Sequence, residues 1–200
     1  GAHSHWWDFI APSFIDNYDV LAIDLSGMGD SEHRETYSDS LYAKELLAVC
    51  KHAGHTENIT LISHSYGGRA VLTLALEYPE ALRSIIITDC FLISPSERGE
   101  MMGLKDVPSS PFGKKKVYPS KEAGLERFKL IPPQNCNNKY LVDYIADFSI
   151  GPVEGGWSWK FDMNFVNKCK QPLTKSKLID EIQNISCPVA NLYGEKSMLF

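Results

Sequence analysis

The sequence predicts an α/β fold, a parallel sheet with helices on both faces and a mostly helical cap insertion between its strands. Three observations carry that reading. Short apolar runs alternate with segments of helical period, one of those runs is apolar enough for burial on both faces, and a stretch dense in proline, glycine and tryptophan interrupts the alternation.

In chain order, Asp19-Val20-Leu21-Ala22-Ile23-Asp24 is a short apolar run leaving into Ser26-Gly27-Met28-Gly29-Asp30-Ser31. That pattern predicts a buried strand ending in a glycine-rich loop. From Ser38 to His52 apolar residues recur at Leu41, Leu46, Leu47 and Val49–Cys50, which predicts an amphipathic helix, and Gly54 supplies a stop. Ile59-Thr60-Leu61-Ile62 is the second strand, and Arg69 to Glu77 the second helix, closed by Pro79. Leu82 to Asp89 forms a third strand around its isoleucine run. Further on, Ile179-Asp180-Glu181-Ile182 closes a helix and Val189 to Tyr193 is a fourth strand. Parallel strands joined by helices bring the loops at their carboxyl ends to one rim, where ligands bind in such sheets. The prolines and tryptophans from Pro108 to Trp159 mark the insertion. The organisation expected is therefore 1–92 core, 93–175 cap insertion and 176–200 core continued.

Composition narrows the function. The 200 residues are 44% hydrophobic and 22% charged, an ordinary globular balance. With 20 basic against 25 acidic residues the net charge is −5, which argues against nucleic acid or an anionic membrane as partner. The one basic run, Lys114-Lys115-Lys116, reads as a solvated loop. Cys50, Cys90, Cys136, Cys169 and Cys187 contain no CxxC pair, so zinc ribbons and dithiol redox motifs are excluded, and free thiols in a cytoplasmic setting are expected. No apolar run approaches the ~20 residues of a membrane helix. No metal or cofactor is implied. His3-x-His5 lacks a third ligand at a metal-like spacing, and Gly27-Met28-Gly29 has Glu32 where a dinucleotide loop needs its third glycine.

The most informative stretch is Ile59-Thr60-Leu61-Ile62-Ser63-His64-Ser65-Tyr66-Gly67-Gly68-Arg69-Ala70. An apolar strand must turn into a helix within a few residues, with small residues two before (Ser63) and two after (Gly67) a serine. Such a turn strains the backbone and holds the hydroxyl at a helix N-terminus, with the Tyr66 N–H facing the position of an oxyanion.

These residues resemble the α/β-hydrolase fold superfamily. Asp24-Leu25-Ser26-Gly27-Met28-Gly29-Asp30-Ser31 is similar to its Asp-x-x-Gly-x-Gly-x-Ser loop, and Ala2-His3-Ser4-His5-Trp6-Trp7 resembles the segment after its His-Gly loop. Ile86 to Asp89 and Pro188 to Glu195 resemble its later strands. The resemblance implies a serine hydrolase with Ser65 as nucleophile and the Tyr66 N–H as oxyanion donor. The substrate would be a small acyl compound bound between sheet and cap against Trp6, Trp7, Trp157 and Trp159, although each of them taken singly reads better as core packing. A serine at the elbow implies attack on an ester, thioester, lactone, amide or activated C–C bond.

The departures are as informative. In that family the triad runs serine, acid, histidine, whereas His3, His5, His33, His52, His55 and His64 all precede the nucleophile. His64 reads as packing or hydrogen bonding rather than as the base. The expectation is a hydrolase truncated at both ends, without its catalytic histidine and His-Gly loop. At the family's usual acid position stands Ser197. Asp89, after the strand that follows the elbow helix, is the other candidate acid or else a capping aspartate, and Glu195 is a third. The alternative reading is a non-catalytic, small-molecule-binding or receptor-like member of the fold.

Overall fold

The computed structural model describes residues 1–90, 115–131, 133–169, 181–195 and 197. They belong to two compact units, Gly1–Glu35 with Ser110–Lys168, and Thr36–Ser109 with Cys169–Phe200. The expected insertion boundaries at 93 and 175 lie outside the described residues, as do Ile179 and Asp180.

The second unit holds the sheet. Helix α1, Asp39–His52, begins because the Ser38 side chain accepts from the Leu41 N–H, with Asp39 in the first turn complementing the helix dipole. It ends in a Schellman arrangement: Gly54, at φ +90°, donates to Lys51, and His55 donates to Cys50. Strand β1, Ile59–His64, leads to helix α2, Gly67–Glu77, and then to strand β2, Leu82–Thr88. β1 pairs in parallel with β2, from Ile59 against Leu82 to His64 against Thr88. A further strand, Val189–Leu192, lies parallel on the other side of β2. The core gathers Leu47 of α1, Leu61 of β1, Leu72 and Leu74 of α2, and Ile85 and Ile87 of β2. Side chains of β1 alternate, with Leu61 and Ser63 buried and Ile62 and His64 exposed, as the two-residue period requires.

The first unit departs from expectation at Asp19–Asp24. The run is not a strand, and Val20 and Leu21 are exposed. A strand exists through hydrogen bonds to a neighbour, and no described strand pairs with this run. The loop after it does form. Asp24 accepts from the Ser4 N–H at 2.6 Å and the Asp30 N–H at 2.8 Å, while the Ser31 hydroxyl donates to its backbone carbonyl. Gly29, at φ +51°, closes over this carboxylate, where a Cβ would stand 2.1 Å from Oδ2. Burial alone would raise the Asp24 pKa, but the Ser4 and Asp30 donors outweigh it and hold the carboxyl below its usual range.

Beyond residue 115 the first unit contains helices α3, Lys121–Leu125, and α4, Lys139–Ser149, then a hairpin and the short helix α5, Phe165–Lys168. The hairpin, Ile150–Val153 against Gly156–Trp159, was not legible in the sequence. Its turn uses Gly155 at φ +83°, the positive angle that a type II turn places at its third residue. Among the described residues no helix is long and apolar enough to cross a membrane.

His3 ties the first turn of the chain to α4. It is 4% exposed, and Nε2 lies 2.9 Å from Ser149 Oγ and 3.2 Å from the Ile145 carbonyl. The Ser149 hydroxyl already donates to Ile145, so Nε2 carries the proton and donates, leaving Nδ1 buried without a partner. Burial pushes the imidazole below its ordinary value, against the opposing pull of the Ile145 carbonyl and Asp24. A depressed histidine supplies stability that is complete above about pH 6.5, the unfolded value, and is lost as pH falls through the native one. Stability should therefore fall with acidification, and His3→Gln should flatten that slope by up to about 1.4 kcal/mol per pH unit. Denaturant melts between pH 7 and 5 read this directly. Parallel curves for the two proteins would show that His3 is not the titrating group.

Candidate active site at the end of the first strand

Ser65 follows the last residue of β1 and adopts φ +51°. The left-handed region costs a non-glycine residue about 1–2 kcal/mol, and several bonds hold the chain there. The Ser65 N–H donates to Thr88 at 2.9 Å, carrying the β1–β2 ladder one residue past the strand. Its carbonyl accepts from Gly68, and the Tyr66 carbonyl from Arg69, so the helix starts at once. The tight glycine is Gly68 rather than Gly67. A Cβ at Gly67 would meet the Ser63 Cβ at an ordinary 3.6 Å, but one at Gly68 would lie 2.5 Å from Cys90 Sγ and 3.0 Å from Ile87 Cγ2. α2 therefore rests directly on the end of β2. Cys90 is a buried thiol, pushed up to about 11 by that burial, and behaves as a small apolar contact.

Asp89 occupies the matching place after β2. It too has a positive φ, +48°, and its N–H donates to Leu192 at 2.8 Å. The last paired residues of β1 and β2 are His64 and Thr88, so Ser65 and Asp89 leave neighbouring strands at the same rung. Asp89 Oδ1 is buried without a hydrogen-bond partner, a costly state for a carboxylate oxygen. Glu195 is exposed in a turn, and the Ser197 N–H donates to Gly194.

A charged cluster lies beside the elbow. Arg69 is 6% exposed, and its Nε and Nη2 donate to Asp39 Oδ2 at 3.1 and 2.9 Å. The Tyr66 hydroxyl donates to the other oxygen of Asp39 at 3.3 Å and lies 3.7 Å from Cys169 Sγ. Burial, reinforced by the Asp39 charge, raises the Tyr66 pKa far above its ordinary value, so the phenol remains a donor. Sequence reasoning missed this group, although one signal was present. A cation in the first turn of a helix opposes the dipole, and an arginine there calls for a nearby carboxylate.

The four tryptophans belong to the other unit. There Lys121 sits over the Trp157 ring at 5.8 Å, Trp159 donates to the Tyr118 hydroxyl at 3.3 Å, and Trp6 meets His3 edge-on. A groove of about 550 Å³ in that unit is lined by Leu125, Phe128, Leu130, Val142 and Ala146, and by none of the predicted site residues. The histidines do not converge. His5 bonds Asp8, His33 donates to the Lys160 carbonyl, and His64 is exposed on β1. Among the described residues no three His, Cys, Asp or Glu side chains are grouped as metal ligands.

A strand, a left-handed serine and a glycine-packed helix make up this corner, and comparison with known proteins identifies the fold that contains it. The family model for the alpha/beta hydrolase fold matches residues 1–106. The chain belongs to the α/β-hydrolase family. A Haemophilus influenzae protein named for esterase/lipase function is 31% identical over 136 residues, 68% of this chain and 45% of that protein. The 2-(acetamidomethylene)succinate hydrolase of Mesorhizobium japonicum is 25% identical over 186 residues, 92% of this chain and 63% of its own. Among solved structures, the thioesterase domain from the curacin biosynthetic pathway superposes with a TM-score of 0.72 at 21% identity, covering 99% of this chain and 72% of that one. The chain spans about half the length of the curated relatives it matches.

The contact at Gly68 can be tested on its own. Gly68→Ala should cost about 1–3 kcal/mol through overpacking, a drop of roughly 2–12 °C in melting temperature for a chain of this size. Adding Cys90→Ala should recover part of it. A Gly68→Ala protein that melts with the parent would mean that α2 does not rest on β2 as described.

Proposed function

We propose that this chain carries the nucleophile of a serine hydrolase acting on an ester, thioester or related acyl bond of a small molecule. The observation that supports this most directly is the left-handed Ser65 between β1 and α2, since such strain persists where a function needs it. In this reading the Ser65 hydroxyl gives its proton to a base as Oγ bonds the acyl carbon. The Tyr66 N–H stabilises the oxyanion, the leaving group departs with the proton, and water then releases the acid from the acyl-enzyme.

The base is a histidine outside these 200 residues, because every histidine present precedes Ser65 and the family's triad order ends with histidine. Asp89 is the acid that would orient it. Its position at the same rung as Ser65 on the neighbouring strand and its partnerless buried oxygen favour it over exposed Glu195. The names of the relatives, esterase and hydrolase among them, agree with acyl chemistry. One observation favours the second reading, a non-catalytic binding protein: Ser197 stands where the family's acid is usual.

Labelling with a fluorophosphonate probe, with Ser65→Ala as control, separates these readings. The expected result is no labelling of the 200 residues alone and Ser65-dependent labelling of a polypeptide lengthened on both sides. Ser65-dependent labelling of the 200 residues would overturn the missing-base argument, and a dark lengthened protein would favour the binder. In the lengthened protein, Asp89→Asn should slow labelling by roughly 10²–10⁴-fold without loss of stability, since it neutralises a buried, partnerless oxygen. If Asp89 were a cap, asparagine would replace it without loss, and both the stability and the labelling rate would be spared.

A further inference from the structure

We propose that Asp39 is a positioning residue for the elbow, holding the peptide that follows Ser65 through Tyr66 and Arg69 at once. This deepens the reading of Ser65 as nucleophile and rests on it.

The two oxygens of Asp39 are divided between the two side chains. Oδ2 takes both Arg69 donors, Nε at 3.1 Å and Nη2 at 2.9 Å, and Oδ1 takes the Tyr66 hydroxyl at 3.3 Å. Tyr66 carries the N–H that would face an oxyanion, and the Arg69 N–H closes the first turn onto the Tyr66 carbonyl at 3.1 Å. One carboxylate therefore grips the residue after the nucleophile from its side chain, and grips the residue that bonds its carbonyl. Asp39 is itself fixed at the first position of α1, next to the capping Ser38. A second contact restrains the same ring, with Tyr42, one turn along α1, meeting Tyr66 edge-on at 6.3 Å.

The left-handed Ser65 makes such a grip necessary. A residue in that conformation relaxes toward the commoner right-handed or extended regions unless its successors are held. Relaxation would rotate the Ser65–Tyr66 peptide and aim its N–H away from the reacting oxygen. Donor placement to within tenths of an ångström decides the worth of an oxyanion site.

Two variants keep the test interpretable. Asp39→Asn leaves Arg69 buried without a counter-charge and risks general unfolding. Asp39→Asn combined with Arg69→Met removes both charges and keeps an unbranched stem in the core. Amide exchange then reads the elbow without relying on activity. In the double variant, amides 68 and 69, which donate to the Ser65 and Tyr66 carbonyls, should exchange at least about tenfold faster. The Tyr78 amide, bonded to Leu74 at 2.8 Å at the far end of α2, should be unchanged. In the lengthened protein, phosphonylation should slow by about 10- to 100-fold in its maximal rate with probe affinity retained. Unchanged exchange at 68 and 69 overturns the proposal, and so does faster exchange along the whole helix. Faster exchange confined to the elbow, in a lengthened parent protein that never labels, upholds the positioning role and overturns the nucleophile reading instead.

Discussion

The backbone at Ser65 is the constraint on which the rest of the second unit depends. A serine at φ +51° is unfavourable by itself, and its surroundings compensate. The ladder bond to Thr88 fixes its amide, the first turn of α2 fixes its carbonyl, and Gly68 allows that turn to reach β2. The buried Arg69–Asp39 pair then joins the start of α2 to the start of α1. Each of these features would be a curiosity alone. Together they describe one corner whose geometry is set from four sides.

Much of this was legible in the sequence because it is local. Helix α1 was marked by Ser38 and Gly54, and β1, α2 and β2 by apolar runs and by Pro79, all signals carried within a few residues. The elbow was legible for the same reason, since the small residues around Ser65 are demanded by the turn itself. The run Asp19–Asp24 misled because a strand is made by its neighbours. Its composition suits a sheet, but no described strand pairs with it. The Gly155 hairpin was hidden in a stretch dense in proline, glycine and aromatic residues that read as a mostly helical cap.

The candidate site was legible only in part. Ser65 stands out by pattern, whereas Asp39 lies 26 positions before it and looks like an ordinary first-turn acid. Its second role appears only when α1 is laid against α2. Asp89 was in view from the start, yet its standing changed once one of its oxygens proved to be buried and partnerless. Gly67 and Gly68 exchanged importance for a similar reason, since spacing identifies a crowded turn but not which Cβ would collide.

The Asp24 loop carries a consequence of its own. Two backbone amides, at Ser4 and Asp30, converge on separate oxygens of one side chain. An asparagine has the same outline but presents one acceptor and one donor group. It could serve the chain start or the glycine loop, and would turn an N–H toward whichever it did not serve. The two segments are therefore coupled through a symmetry of the carboxylate that no neutral side chain of that size reproduces, so a near-isosteric substitution there would force one of them to let go.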